Sequence, residues 1–333
     1  MTAKGKNGKF IVESIHYPAL YGALTRMTTE SCFLRISLGA KPGTGKGQMI
    51  KRILENFDLA QICRSGQCFR MKEKQDGLYS VTAGRRYLEL GQQGKECTFY
   101  CEEAEFHGFW KGYFDLEGDY ASYIRRIAPE DAYLKCAAEY GAGIRILRQD
   151  LWEMIVSFLI SQQNNIVRIR RCIENICEKY GEKLGNGSGE IYYAFPGPEA
   201  LAGLAEDALL ECNLGYRSKY VVRAAKSVAD GTCDLKALVQ MDYGEAREEL
   251  RKLYGVGQKV ADCICLFGLH KLEAFPVDTH INQALQAHYG GLFPGCLYEG
   301  FQGVMQQYIF YYELSGDKVP GPASQAGTHS QTA

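Results

Sequence analysis

No Cys-x-x-Cys pair occurs among the thirteen cysteines of this 333-residue chain, and no zinc-finger histidine pattern accompanies them. Cys63/Cys68, Cys97/Cys101, Cys172/Cys177 and Cys263/Cys265 are scattered pairs, which argues against a zinc finger. A signal peptide is lacking, and so is any apolar run long enough to span a bilayer. The thiols therefore read as reduced, in a cytosolic protein with no membrane partner. Charge of one sign is lacking too: 38 Lys+Arg stand against 39 Asp+Glu, giving a net charge of −1 and a pI of 6.6. Without a global positive field, contact with a nucleic acid would rest on a few arginines and backbone amides, with modest nonspecific affinity at physiological salt. A true phosphate loop is also missing. Gly39 and Gly45 are separated by one residue too many and Gly47 follows Lys46, so this stretch reads as a flexible linker.

What is present is enough apolar residue, 46% of the chain, to build sizeable cores in two or three domains. Residues 1–50 read as a leader, with Met49 a plausible start for the folded protein and 1–48 either a dispensable leader or the product of an upstream start site. Residues 51–140 read as an antiparallel β domain. Its β-rich tracts Gln67–Met71, Tyr79–Thr82, Arg86–Leu90 and Cys97–Cys101 are parted by turn signals at Gln75-Asp-Gly77 and Gly91-Gln-Gln-Gly94. From Asp119 onward apolar positions recur at three- and four-residue spacing, in segments running from 121–138 through 205–212 and 259–269 to 298–314. Residues 141–315 read as an all-helical domain, and 316–333, rich in Gly, Pro, Ser and Thr, as a disordered tail. The expected class is α+β, an N-terminal antiparallel β domain followed by an all-α domain.

One helical pair carries chemistry. Glu249, Leu250 and Leu253 end one amphipathic helix, and Val260, Ala261, Ile264, Leu266 and Leu269 form a second, largely buried one. Between them Gly255-Val-Gly257 allows the positive φ of a tight turn and the close approach of a ligand to bare backbone. The amides opening the second helix are unpaired and lie at the positive end of its dipole, where they suit a phosphate. Lys259 stands at the same helix start, where the dipole disfavours a protonated amine. A neutral amine is a nucleophile. Nineteen positions later comes Asp278, placed to cap a further helix.

Lys259-Val-Ala-Asp-Cys-Ile-Cys-Leu266 followed by Pro276-Val-Asp-Thr-His280 resembles the helix-hairpin-helix DNA glycosylase superfamily and, within it, the 8-oxoguanine DNA glycosylases. The resemblance extends over roughly residues 56–314. It implies a base-excision-repair glycosylase with lyase activity on double-stranded DNA, DNA-associated and monomeric, that extrudes a nucleotide from the duplex. Lys259 would attack the sugar and form a Schiff base, and Asp278 would stabilise the positive charge that develops there. Hairpin amides near Gly255 and Gly257 would bind phosphate, with His280 as a further phosphate contact, and the hairpin carbonyls are a possible site for a monovalent cation. Some relatives carry a four-cysteine iron-sulfur cluster after the aspartate; only Cys296 lies there, so no cluster and no organic cofactor is expected.

Other motifs supply the remaining tasks of base extrusion. Ser65-Gly-Gln-Cys-Phe-Arg70 is similar to the family's lesion-reading segment. 8-Oxoguanine carries a hydrogen on N7 where guanine has a lone pair, so a carbonyl at Gly66 would accept from the lesion and repel the normal base. In Gly303-Val-Met-Gln-Gln-Tyr-Ile-Phe310 the resemblance places Gln306 at the Watson–Crick edge and Phe310 on one face of the base, with Cys263 on the other. Leu159-Ile-Ser-Gln-Gln-Asn-Asn-Ile-Val-Arg-Ile169 is similar to the family's gap-filling turn, whose usual asparagine position falls on Gln163. Related glycosylases use glutamine in this turn. Leu214-Gly-Tyr-Arg-Ser-Lys-Tyr220 matches a segment in which Tyr216 would be the wedge, while Arg168 and Arg217 would donate to a partner cytosine. Two rivals are open at this point. An alkylated-base glycosylase of the same superfamily would lack the lysine, and a noncatalytic DNA-binding module would leave Lys259, Asp278 and Gln306 unexplained as a set.

Overall fold

The computed structural model describes residues 49–75, 77–186 and 189–315. The expected leader over 1–48, its glycine-rich linker and the tail from 316 lie outside these residues.

A five-stranded antiparallel sheet opens the described chain. Strands β1 (Ile50–Ile53), β2 (Met71–Gln75), β3 (Leu78–Ala83), β4 (Arg86–Gln93) and β5 (Glu96–Tyr100) pair in the order β1-β5-β4-β3-β2. Tight turns at Gly84 and Gly94 fix the register, so that Val81 faces Leu88 and Leu90 faces Phe99. This pairing lines one face of the sheet with apolar side chains. That face packs on helix α1 (Leu59–Arg64) and on a helical stretch built of α2 (Glu103–Glu105), a π-turn at Phe106–Trp110 and α3 (Lys111–Tyr113).

One strand was not foreseen in the sequence, and one expected strand needs correction. β1 was read only as the start of the folded protein, because four residues bearing Lys51 and Arg52 give no alternating signal; the strand exists through its distant pairing with β5. The tract Gln67–Met71 is not a strand before Met71. Gly66 takes φ +77°, and the buried Gln67 side chain bonds the backbone of Arg145 and Leu147, which replaces a ladder with a pinned loop.

The helical part contains α4 (Tyr120–Arg125), α5 (Ala132–Tyr140), α6 (Leu151–Ser161), α7 (Ile166–Tyr180), α8 (Pro198–Ala202), α9 (Ser218–Ala229), α10 (Leu235–Gln240), α11 (Tyr243–Leu250), α12 (Gln258–Phe267), α13 (Thr279–Tyr289) and α14 (Gln302–Leu314). The segment expected as one helix over 121–138 is two. Pro129 interrupts it, and Asp131 restarts the chain by accepting from Leu134 N–H at 2.9 Å. α10, missed in the sequence, is six residues capped by Asp234, too short to show a period. A two-stranded hairpin, β6 (Lys183–Gly185) with β7 (Ile191–Tyr193), was missed for the same reason. α4 and α5, grouped with the β segment by the 51–140 division, send Tyr120, Leu134, Ala137 and Ala138 into the helical core.

α6 is the axis of that core. It is buried from Leu151 to Ile160 and is apolar on every side but for Glu153 and Ser157, as expected of a helix surrounded by others. Its C-terminal end therefore emerges at a fixed place, and the polar turn at 162–165 follows directly. At its other end Glu153 lies 3.7 Å from Arg70 in the seam between the two cores. Burial pushes the Glu153 carboxyl up to about 7, against the opposing pull of Arg70. Among the described residues the cysteines are free thiols, no cluster of metal-ligating side chains occurs, and no helix is long and apolar enough to cross a membrane.

Candidate active site

The hairpin between α11 and α12 is built by local rules. Asp242 and Glu245 form a capping box that starts α11, and Leu253 N–H and Val256 N–H close successive turns on Leu250 and Leu253 carbonyls. The two glycines divide the work. Gly255 has φ +90°, and a Cβ there would meet the Tyr220 ring at 2.7 Å, so this position needs glycine twice over. Gly257 has ordinary dihedrals and caps α12; a Cβ there would meet nothing within 4 Å, so what its missing side chain provides is open access to the helix start. The carbonyls of Leu253 and Gly255 each accept one internal hydrogen bond and, as neutral oxygens, remain compatible with a monovalent cation.

A second contact ties α11 to α12. Tyr243 Oη donates to the buried Asp262 at 2.7 Å, and burial pushes that carboxyl up from its usual range. Tyr243→Phe strands the acceptor and is expected to lower unfolding free energy by about 1–3 kcal/mol. A urea titration of wild type and variant measures this.

Lys259 is the second residue of α12 and only partly exposed, with Nζ 5.8 Å from the centre of the Phe158 ring. It stands where two cavities meet. The outer one is a cleft of about 890 Å³ lined by Gly66, Gln163, Gly257, Lys259, Asp278, His280 and Phe310 among others. The inner one, about 50 Å³, is lined by Gly66, Cys263, Gln306, Phe310, Lys259 and Asp278, with Phe158, Phe267, Pro276 and Gln307. Gly66, Phe158, Lys259, Asp278 and Phe310 belong to both walls. Side chains scattered over some 250 positions of sequence are thus gathered around one amine.

Asp278 caps α13, its Oδ1 accepting from Ile281 N–H at 2.9 Å. Cys263 is buried one turn beyond Lys259; burial pushes its thiol up, against the opposing pull of nearby Lys259. Gln306 is 4% exposed. Its Nε2 donates to Pro276 O at 3.0 Å, while Oε1 has no partner among the described residues. A buried acceptor left open beside a cavity suits the N–H donors on the Watson–Crick edge of a guanine. Phe310 is half-buried against Gly66, whose notional Cβ would lie 3.0 Å from the ring, and meets the exposed His280 edge-on at 6.2 Å between centres.

The remaining expected residues sit on the polar turn and behind it, and Arg168, Tyr216 and Arg217 line neither cavity. Gln163 is exposed at φ +48°, a left-handed conformation that asparagine adopts more readily than glutamine. Its neighbours hold it there: Tyr216 Oη donates to Gln163 Oε1 at 3.2 Å, and Arg217 Nη2 donates to Gln163 O at 2.9 Å. Arg217 is 4% exposed and directs further N–H groups at the carbonyls of Gln162 and Leu214. One Nη1–H remains uncommitted. Arg168 is exposed and makes a long contact of 3.4 Å to Asn213 O. Tyr216, 46% exposed, lies under the Arg217 guanidinium at 4.5 Å.

Three residues escaped the sequence reading. Phe158 forms part of both walls, yet nothing separates it in sequence from the other apolar residues of α6. Gln162 Nε2 reaches the Gly255 carbonyl at 3.0 Å and so links the polar turn to the hairpin; its only signal was adjacency to Gln163. Gln307 was hidden beside Gln306.

Comparison with known proteins gives a consistent result over the same span. Residues 49–155 match the family model of the 8-oxoguanine DNA glycosylase N-terminal domain, and residues 156–291 that of the HhH-GPD superfamily of base excision DNA repair proteins. The N-glycosylase/DNA lyase of Saccharomyces cerevisiae is 32% identical over 263 residues, which is 69% of this chain and 68% of that one. The N-glycosylase/DNA lyase OGG1 of Arabidopsis thaliana is 31% identical over 73% of this chain and 69% of its own. The Clostridium acetobutylicum 8-oxoguanine glycosylase/lyase, solved with double-stranded DNA containing cytosine opposite 8-oxoG, superposes with a TM-score of 0.74 and 36% identity, covering 81% of this chain and 99% of that chain. With its sheet, its hairpin and its lysine-centred cleft all falling within the matched span, the chain belongs to the 8-oxoguanine DNA glycosylase family of the helix-hairpin-helix base excision repair superfamily.

Proposed function

We propose that the protein removes 8-oxoguanine from opposite cytosine in duplex DNA, with Lys259 as nucleophile and Asp278 as the charge that supports it. The observation that carries this reading is Lys259 at the start of α12, in the wall shared by the outer cleft and the inner cavity, with Asp278 in the same wall. The extruded base enters between Cys263 and Phe310, where the open Gln306 Oε1 accepts from its Watson–Crick edge and the Gly66 carbonyl accepts from N7–H. The neutral amine of Lys259 forms a bond to C1′ as the C1′–N9 bond breaks and its electron pair leaves with the base, which takes up a proton. The amine gives up its own proton, and opening of the sugar ring yields a Schiff base. Loss of a C2′ proton then expels the 3′ phosphate and cuts the strand.

Asp278 uses Oδ1 for the cap and retains the other carboxylate oxygen for the positive charge that develops on the sugar. The open amides at Gly257 and Lys259 receive a backbone phosphate, with His280 beside them. A monovalent cation on the Leu253 and Gly255 carbonyls would add charge neutralisation at that phosphate and nothing to bond breaking. Gln163 fills the gap left by the extruded nucleotide and Tyr216 wedges beside it. Arg168 donates to the partner cytosine directly. Arg217 holds the turn through its carbonyl contacts and has one N–H left for the same base.

Borohydride reduction with a duplex bearing 8-oxoguanine opposite cytosine tests this. A covalent protein–DNA adduct and strand cleavage are expected. A noncatalytic binding module gives neither, and a hydrolytic alkylated-base glycosylase gives no adduct here and releases base, again without an adduct, from a duplex carrying an alkylated base.

A further inference from the structure

Gly66 stands between two fully buried polar residues whose own carbonyls are both claimed. Ser65 O accepts from Gln307 Nε2 at 2.7 Å, and Gln67 O accepts from Gln149 Nε2 at 2.9 Å. The Gln67 side chain is engaged at both ends, Nε2 donating to Ser65 Oγ and Arg145 O at 2.9 Å and Oε1 accepting from Leu147 N–H at 2.9 Å. Ser65 and Gln67 are 0% exposed, and Gln307 is 1% exposed. Among the described residues no donor meets the Gly66 carbonyl. The peptide units on both sides of it are therefore pinned, and the one between them is left unpaired beside the inner cavity.

Such an arrangement is costly unless the open carbonyl has a partner to meet, and valuable if its direction matters. A carbonyl that must tell an N–H from a lone pair by a single contact discriminates only while its direction is held; a peptide free to rotate would relieve the repulsion from guanine's N7 and lose the contrast. We infer that Gln307, with Gln149 on the far side, is a positioning residue that sets lesion specificity by clamping the peptides flanking Gly66. Gln307 lies on α14 beside Gln306, so one helix both meets the Watson–Crick edge and aims the carbonyl that reads N7. The inference rests on the proposed role of Gly66.

Gln307→Met keeps the length and bulk of the side chain and removes the donor. Single-turnover excision is compared on duplexes carrying 8-oxoguanine or 8-methoxyguanine opposite cytosine, since the second keeps an oxygen on C8 but has no hydrogen on N7. Wild type is expected to prefer the first, and Gln307→Met to reduce that preference on the order of 10-fold. Strand cleavage at a preformed abasic site, which requires Lys259 but no base reading, is expected to stay within about twofold of wild type; a general packing defect would move it. If wild type shows the preference and Gln307→Met retains it in full, the clamp is wrong. If wild type shows no preference, the role of Gly66 is wrong and the inference falls with it. Should Gln307→Met lose abasic-site cleavage, the same comparison on Gln149→Met decides between these outcomes.

Discussion

Lys259→Gln is expected to abolish the borohydride-trapped adduct and to slow base release by a factor on the order of 10⁴ or more, the scale on which loss of a covalent nucleophile is felt. Binding to a lesion-bearing duplex should change by only a few-fold, because the groups proposed to receive the phosphate are backbone amides at the start of α12, which glutamine leaves in place. The side chains of nearby lysines are poor substitutes. Lys252, at the end of the preceding helix, is ion-paired with Glu249 at 2.5 Å and lines neither cavity. Lys271 donates to Met241 O at 2.6 Å and also lies outside both. Lys259 by contrast stands in the wall of both cavities, with Nζ 5.8 Å from the centre of the Phe158 ring. Persistence of the adduct in Lys259→Gln would move the nucleophile elsewhere and overturn the assignment. Loss of adduct together with loss of DNA binding would show that the lysine acts as a phosphate ligand.

Legibility in the sequence followed the range over which each feature is determined. The hairpin was readable because a capped helix, a glycine at φ +90° and a second apolar helix are set by neighbours within about twenty residues. Lys259 and Asp278 came with it, since both occupy helix starts. The gathering of Gly66, Gln306 and Phe310 around the amine was reached only through resemblance, because no periodicity links residues that far apart. Arg217 shows the limit most clearly. Resemblance alone made it a donor to the partner base, and its burial and four hydrogen bonds to carbonyls add a packing role that no local pattern announces. Gln307 shows the converse, since a glutamine beside another glutamine is silent until the carbonyl of a distant loop is found against it.

Asp278 caps α13 and carries, in the proposed mechanism, a second duty as a charge beside the sugar; a single isosteric change separates the two. As a cap it accepts from Ile281 N–H, a task asparagine performs equally well, so Asp278→Asn should leave thermal stability within about 0.5 kcal/mol of wild type. As a charge beside the sugar it has no neutral substitute, and single-turnover excision of 8-oxoguanine should fall about 10²–10³-fold, the scale measured when one preorganised electrostatic partner is removed. Asp278→Ala loses both duties and adds a capping penalty of about 1 kcal/mol to the same kinetic defect. The pair of variants therefore reads the roles independently. Full activity in Asp278→Asn with reduced stability in Asp278→Ala would make Asp278 a helix cap alone, and would leave the positive charge on the sugar to be met by the DNA's own phosphates. A matched kinetic loss in both variants, with instability confined to alanine, would place the carboxylate in the reaction and the cap in the fold.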